Sequence, residues 1–600
     1  MIESALSSTS LPADATGEGN AGLFSIGWQP AEWPERGAAA AMAQWHVISW
    51  GPSASADRCH DALRASGLAA GVARATLAVA TSAAEVAASL RWDLPAADRR
   101  VVFFLDGAPA FDASAARGNW AWAHALVHAC QQAALASGTR LWIVTATGLL
   151  GPTPAGPARP EQYFAWGLGR CHAVESPESW GGLIDIDAGD ADAGDAVARF
   201  LTSGSSEDEV ALSPDGLQVP RLAAISGLRA MARSFDGDRL FVLTGGLQGL
   251  SFEIARWLGA RGARRLLVLG RSPLDAGRQD RLRELQALCD HVEYQAHDVG
   301  DPEVMQALTA RLKHEGRRIG GIFHLASSWQ RNGRTAVAPL AHVTREDTEE
   351  VVWAKAQGAL LVAEMARQTD ADLLVLFSTA AATLGSPGQA NYAGANSVLD
   401  GVARQFEGSR TRALSVAWGP IAEAGFGNSE QGRDLHELWE RVGLRRLRLA
   451  HVLSTLDGSL DAPESHVTAI SVDEDQGLSL PWLQSRPIFE GLSGSAATGL
   501  LLPELASLPP AQRVDFIART LRASLATILN LDEQDVGLEA PLADLGVDSL
   551  VALEMLFTVD RDFGVSLGFD ETLLGMDVTL RALAGEIDRR LPAQALEMAA

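Results

Sequence analysis

Tyrosine is scarce in this chain of 600 residues; the three are Tyr163, Tyr294 and Tyr392. Cysteine is nearly as scarce. The four cysteines, Cys59, Cys130, Cys171 and Cys289, are widely scattered and form no Cys-x-x-Cys pair. That argues against a zinc site or a disulfide framework, and no metal is expected. No apolar run approaches the ~18 residues of a membrane helix. The opening MIESALSSTSLPADATGEGN has neither a basic start nor an apolar core, so it does not read as a signal peptide. A disordered lead-in over 1–20 and a cytoplasmic location are expected. Positive charge is also short. Against 74 Asp and Glu stand 49 Lys and Arg, a net charge of −25. A nucleic-acid partner wants a basic surface, so that class is disfavoured. Local basic residues can still hold a phosphate-bearing small molecule.

What is present is apolar and rich in turns: 47% hydrophobic residues, 58 Gly and 26 Pro. At roughly 100–200 residues per domain, the length implies about three domains. Short apolar runs alternate with helix-like segments as far as residue 470. WHVISW (45–50), VVFFLDG (101–107), LWIVTA (141–146) and GLIDID (182–187) read as buried strands. LFVLTGG (240–246), RLLVLGR (265–271), IGGIFHLA (319–326), LLVLFST (373–379) and ALSVAWG (413–419) do the same. This alternation predicts a parallel sheet flanked by helices. VALSPDGLQVPRL (210–222) adds a hairpin at Pro214-Asp215-Gly216.

The two halves echo each other. RLWIVTATGLLGPTPAGP followed by WGLGR parallels LLVLFSTAAATLGSPGQ followed by YAGAN. The fold class expected is α/β, with two related Rossmann-like units, the first without a glycine-rich turn after its first strand, followed by a small all-α bundle. Boundaries are expected at 21–234, 235–485, a Gly/Ser/Pro-rich linker at 486–510, the bundle at 511–592 and a tail at 593–600. The bundle follows from the helical apolar spacing of VDFIARTLRASLATIL, SLVALEMLFTVDRDF and TLRALAGEIDRRL.

Between LFVL and the helix FEIARWL lies Thr244-Gly245-Gly246-Leu247-Gln248-Gly249-Leu250-Ser251. A helix N-terminus offers free N–H groups to a pyrophosphate, and glycines let the backbone come close. The strand before and the helix after supply the context that a lone glycine pattern lacks. One strand later, Gly270-Arg271-Ser272 puts an arginine where an acidic residue would select NAD. Arginine suits the 2′-phosphate of NADP instead. Asp298 and Val299, after the strand around VEYQAH, are placed to contact the adenine.

STAAATLGSPGQANYAGAN (378–396) sets a hydroxyl residue before Tyr392 and puts Asn396 four residues after it. Residues 235–480 resemble the ketoreductase domain of a modular polyketide synthase, a short-chain dehydrogenase/reductase. Residues 20–230 resemble the truncated structural half that precedes it, most specifically in WGLGRCHAVESPESWGGLIDID (166–187). In these ketoreductases lysine and asparagine exchange places relative to other short-chain reductases. The resemblance therefore assigns the lysine to VVWAKAQGALLVAE (351–364), as Lys355. It implies that Tyr392 protonates the ketone oxygen, that Lys355 lowers its pKa and holds the nicotinamide ribose, and that Asn396 anchors a water. The family's substrate-binding serine falls at Thr379, with Ser378 one position early. Gln248, Ser251 and Ser327 stand where the family usually has glycine; Ser251 is expected near the pyrophosphate. Trp329-Gln330-Arg331 and Leu384 match neither stereochemical marker.

Asp544-Leu545-Gly546-Val547-Asp548-Ser549-Leu550 matches the phosphopantetheine attachment motif of acyl carrier proteins, which 511–592 resemble. Ser549 is the expected attachment residue. The function implied is NADPH-dependent reduction of a β-ketoacyl thioester on the carrier arm. Its partners would be a phosphopantetheinyl transferase, and a ketosynthase and acyltransferase on other polypeptides. The rival readings are a catalytically impaired scaffold with only the carrier functional, motivated by the departures at 248, 251, 327 and 379, and epimerisation at an α-substituent.

Overall fold

The computed structural model describes residues 21–34, 43–67, 69–77, 98–109, 111–112, 120–136, 138–148, 159–187, 189–225, 234–422, 439–440, 443–472, 486–490, 499–529, 531–547, 549–565, 567 and 578–591. The expected lead-in and tail lie outside these residues.

The first half contributes β1 (Ala21–Ala31), β2 (Ala43–Trp50), β3 (Ala69–Leu77), β4 (Arg99–Phe104), β5 (Thr139–Thr145), β6 (Trp180–Ile186), β7 (Glu209–Ser213) and β8 (Gly216–Ala224). The second contributes β9 (Leu240–Thr244), β10 (Arg265–Gly270), β11 (His291–Ala296), β12 (Ile319–His324), the small hairpin β13 (Gln330–Arg331) and β14 (Arg334–Thr335), β15 (Leu373–Thr379), β16 (Arg412–Trp418), β17 (Leu444–Arg445) and β18 (His466–Val472). The central strands are apolar on both faces because helices cover both sides of a parallel sheet. Val242, Val268, Ile322, Leu374 and Leu414 are all fully buried.

The two halves form one continuous sheet, in the order β11-β10-β9-β12-β15-β16-β18-β1-β8-β7-β6-β5-β4-β2-β3. The join is β1. Its first residues run antiparallel to β18 (Phe24 opposite Thr468), and it continues antiparallel to β8 (Phe24 opposite Ala224, Ala31 opposite Leu217). In the second half the strand order reverses direction between β9 and β12. In open α/β sheets a ligand crevice opens at such a switch point, beyond the carboxyl ends of the strands. The predicted hairpin is β7–β8, closed at Ser213 opposite Gly216.

The helix Phe164–Glu175 of the first half packs along the helix Ala390–Arg404 of the second. Glycine permits the approach: a Cβ on Gly167 would lie 2.2 Å from the Ala393 carbonyl oxygen. Ser397 Oγ donates to Tyr163 O at 2.6 Å and accepts from Gly167 N at 3.2 Å across the same contact.

The interval read as a linker is packed at both ends. Ile488 and Phe489 join a core with Phe24, Leu222, Trp439 and Ile470. Leu505 is fully buried among the helices Pro510–Leu529, Ser549–Phe563 and Leu580–Arg590. No helix among the described residues is long and apolar enough to cross a membrane.

Candidate active site

A cavity of about 620 Å³ opens at the carboxyl ends of β9, β10, β12 and β15. Its lining includes Gly245, Gln248, Gly249, Leu250, Arg271, Asp298, Val299, Ser327, Lys355, Thr379 and Tyr392. Asn396 sits one helical turn behind Tyr392, fully buried.

The glycine turn builds one end. Gly245, Gly246 and Gly249 have φ of +109°, +80° and +53°, values that side chains other than glycine rarely adopt. The amides of Gly245 and Gly246 both donate to Leu269 O, at 3.1 and 2.9 Å, so their part is to shape the turn. The open donors are the first amides of the helix Gly249–Ala260, which an α-helix leaves without partners. Gln248, at the N-cap, is exposed and makes no side-chain cap, so those amides stay available to an anion. Ser251, expected near the pyrophosphate, lines the cavity beside Gly249 and Leu250, and its hydroxyl donates to Thr244 O at 3.2 Å within the turn.

Thr244 also ties the switch point together. Its hydroxyl accepts from the amides of Leu325 and Ala326, both at 3.1 Å, and lies 2.9 Å from His324 Nδ1. His324 Nε2 lies 2.9 Å from the Lys355 carbonyl oxygen. Burial holds His324 neutral, its pKa lowered to about 3. This Thr–His–backbone chain was not read from the sequence; a histidine ending an apolar strand was its only signal.

Lys355 sits in a π-helical turn, Trp353–Gln357, between the helices Arg345–Val352 and Gly358–Gln368. Such turns often mark functional sites. Its Nζ is buried and donates to Phe377 O at 2.7 Å. Burial lowers its pKa to about 7, opposed by the charge of Asp400. Asp400, eight residues after Tyr392 on the same helix, accepts from Ser415 Oγ at 2.6 Å and lies 3.5 Å from His466 Nε2. Its own pKa is raised, chiefly by burial.

Burial pushes the Tyr392 phenol above its ordinary pKa, and Asn396 and Ser327 hold it down in part. Lys355 was expected to lower it. Here its ammonium is engaged by the Phe377 carbonyl, and burial dominates at Tyr392. Asn396 Nδ2 donates to Tyr392 O at 2.8 Å, while Asn396 Oδ1 is buried with no hydrogen-bond partner among the described residues. The two hydroxyls at the end of β15 differ. Ser378 Oγ is buried and donates to Asn396 O at 3.2 Å. Among the described residues Thr379 Oγ1 only accepts a long bond from Ala381 N, 3.4 Å, leaving its proton available to a ligand.

At the far end, the partly exposed Arg271 donates from Nη2 to Ser328 Oγ at 3.0 Å and from Nη1 to Glu350 Oε1 at 3.3 Å. Asp298 Oδ1 accepts from Gly300 N at 2.9 Å and Oδ2 from Trp353 Nε1 at 3.1 Å. Glu350, Ser328 and Trp353 lie far from the glycine turn in sequence, and no motif marked them.

The first half reaches the site through the helix Phe164–Glu175. Arg170 Nη1 donates to Ala382 O at 2.9 Å, and Glu175 accepts from Gly388 N at 2.9 Å and Leu340 N at 2.6 Å. Arg170 is itself held by Glu209 in a bidentate pair of 2.9 and 2.8 Å. These bonds clamp the loop leading to Tyr392.

In the helical bundle, the turn Leu542–Leu545 ends on Gly546 at φ +84°, and Ser549 is the first residue of the helix Ser549–Phe563.

A KR domain model matches residues 240–423, and a phosphopantetheine attachment site model matches residues 519–587. The region around the cavity is thus a ketoreductase-type domain, and the bundle is a carrier-type domain. The relatives that the chain matches are modular polyketide synthases, and its structural neighbours include ketoreductases from such synthases. Erythronolide synthase EryA3 from Saccharopolyspora erythraea is 32% identical over 413 residues, 66% of this chain and 12% of that protein. Pikromycin polyketide synthase component PikAIII from Streptomyces venezuelae is 31% identical over 441 residues, 69% of this chain and 28% of that one. The chain therefore spans less than a third of the length of these two relatives. The solved structure of an A1-type ketoreductase is 28% identical with a TM-score of 0.64, covering 75% of this chain and 93% of that one.

Proposed function

We propose that the chain reduces a β-ketoacyl thioester to the β-hydroxyacyl thioester with NADPH, the acyl chain being carried on a phosphopantetheine arm at Ser549. The observation that carries the reading is the convergence on one cavity of a tyrosine, a buried lysine with pKa near neutrality, and a free threonine hydroxyl, beyond a glycine turn and an arginine.

The residues fit the cofactor. The first amides of the helix Gly249–Ala260 would hold the pyrophosphate, with Gly245 and Gly246 keeping the approach clear. Arg271 would hold the 2′-phosphate, Asp298 and Val299 would border the adenine, and Lys355 would hold the nicotinamide ribose. When bound, NADPH supplies hydride to the ketone carbon. Tyr392 gives its phenolic proton to the ketone oxygen, and Thr379 donates a hydrogen bond to the same oxygen. The unpartnered Asn396 Oδ1 suits a water that returns the proton to Tyr392. A phosphopantetheinyl transferase would load Ser549. A ketosynthase and an acyltransferase on other polypeptides would supply the chain, in the cytoplasm. Reductase and carrier would be joined by the linker at 486–510.

A β-ketoacyl thioester is incubated with the protein and NADPH, and both the nicotinamide absorbance and the β-hydroxy product are followed. Consumption of NADPH with matching product is expected. No turnover, with NADPH shown to be bound, would overturn the assignment and favour the scaffold reading.

A further inference from the structure

We propose that Glu350 is a built-in counter-charge at the 2′-phosphate site, setting how strongly NADPH is preferred over NADH. This rests on the cofactor reading above and concerns a residue no motif marks.

Three side chains share one oxygen. Arg271 Nη1 lies 3.3 Å from Glu350 Oε1, Arg271 Nη2 donates to Ser328 Oγ at 3.0 Å, and the Ser328 hydroxyl donates to that same Glu350 oxygen. Ser328 is buried, and the side chains of Arg271 and Glu350 are 50% and 28% exposed, so the cluster stands at the cavity's edge with Arg271 still accessible. Arg271 and Ser272 line that edge together with Gln248. The arginine is therefore not a free cation awaiting a phosphate. Part of its charge is cancelled, and both terminal nitrogens of its fork already donate to protein oxygens.

The consequence differs for the two cofactors. A 2′-phosphate arriving at Arg271 meets attraction from the guanidinium and repulsion from a carboxylate a few ångströms away, at a half-exposed site where such charges still act on each other. It must also compete with Glu350 for the guanidinium fork, the geometry in which arginine binds oxyanions best. An unphosphorylated ribose brings no charge. Its hydroxyls can donate to the Glu350 carboxylate, the kind of acceptor that favours NAD in dinucleotide folds. Glu350 thus penalises NADPH and assists NADH. It also sits five residues before Lys355, on the helix leading into the π turn, so it is fixed relative to the catalytic end of the cavity.

The test measures dissociation constants of NADPH, NADH and 2′,5′-ADP for the full chain, wild type, Glu350→Gln and Glu350→Ala, without turnover. Both variants are expected to bind NADPH and 2′,5′-ADP about tenfold more tightly, as one removed repulsion of moderate size allows. NADH is expected to bind several-fold more weakly. Thermal unfolding shows whether each variant is folded, and the two substitutions serve as independent probes should one fail. Unchanged or weaker 2′,5′-ADP binding in a folded variant overturns the inference while leaving the reductase reading intact. If wild type binds none of the three nucleotides, the cofactor reading falls and the inference falls with it.

Discussion

Lys355→Met separates the electrostatics of the site from its catalysis. Lys355 is buried, and burial lowers its pKa from 10.5 to about 7. Unfolded, the group titrates near 10.5. Between pH 7 and 10.5 the unfolded chain therefore holds a proton that the folded chain has lost, and stability rises with pH. Below about pH 7 both states are protonated, and the full cost of a buried ammonium is carried by the fold. Over the whole interval the shift corresponds to about 5 kcal/mol, and roughly half of that gain over the methionine variant should appear between pH 6 and 9. The lost hydrogen bond to Phe377 O adds an offset that does not depend on pH. Only the slope tests the reasoning. Urea unfolding followed by tryptophan fluorescence reads the reductase alone, because no tryptophan lies beyond Trp482. Subtracting the variant from wild type at each pH removes groups that titrate alike in both. A flat difference, or one in which wild type loses ground as pH rises, refutes a buried lysine with a lowered pKa.

Tyr392→Phe keeps the ring and removes the acid; turnover of a β-ketoacyl thioester should collapse while NADPH still binds, and retained activity in a steady-state assay would exclude the role. Arg271→Ala should weaken NADPH binding roughly ten- to hundredfold, the worth of a charge-assisted contact, and leave NADH nearly unchanged in the same fluorescence titration. Gly167→Ala drives a Cβ into the Ala393 carbonyl, so the two packed helices must part; a loss of roughly 1–3 kcal/mol is expected from overpacking, seen as a lowered unfolding midpoint. Coenzyme A and a broad-specificity phosphopantetheinyl transferase should add one arm to the chain by intact mass, and none to Ser549→Ala.

The parallel strands were legible because both their faces are buried, which leaves uninterrupted apolar runs such as RLLVLG and LLVLFST. β1 was not. Its sequence AGLFSIGWQPA mixes polar and apolar residues, and its partners are distant in the chain, at 216–224 and 466–472. Nothing local announces a strand that stitches two units together. In the site, Tyr392 and Asn396 were legible from one stretch. Lys355 was legible only through the resemblance, though it is one of two lysines in the chain. The π turn that presents it leaves no trace in spacing. Glu350, Ser328, His324 and Glu175 act through long-range contacts that a linear pattern does not record.

Those contacts bear on what the first half of the sheet does for the site in the second. Among the described residues its helix Phe164–Glu175 lies against the tyrosine helix, and Arg170 and Glu175 hold backbone atoms of Ala382 and Gly388 on the loop between β15 and Tyr392. Glu175 also fixes Leu340 N, ahead of the helix that leads to Lys355. One carboxylate therefore bridges the segments that present the proposed acid and its lysine. Buried ion pairs contribute little net stability against apolar substitutes, yet removing one partner is costly. The Arg170–Glu209 pair is of this kind. It holds Arg170 where it reaches the Ala382 carbonyl, and its stronger physical rationale is orientation. A proton-transfer site depends on donor and acceptor being held within hydrogen-bond reach. The first half supplies that rigidity from outside the cavity, and β1 makes it part of the same sheet.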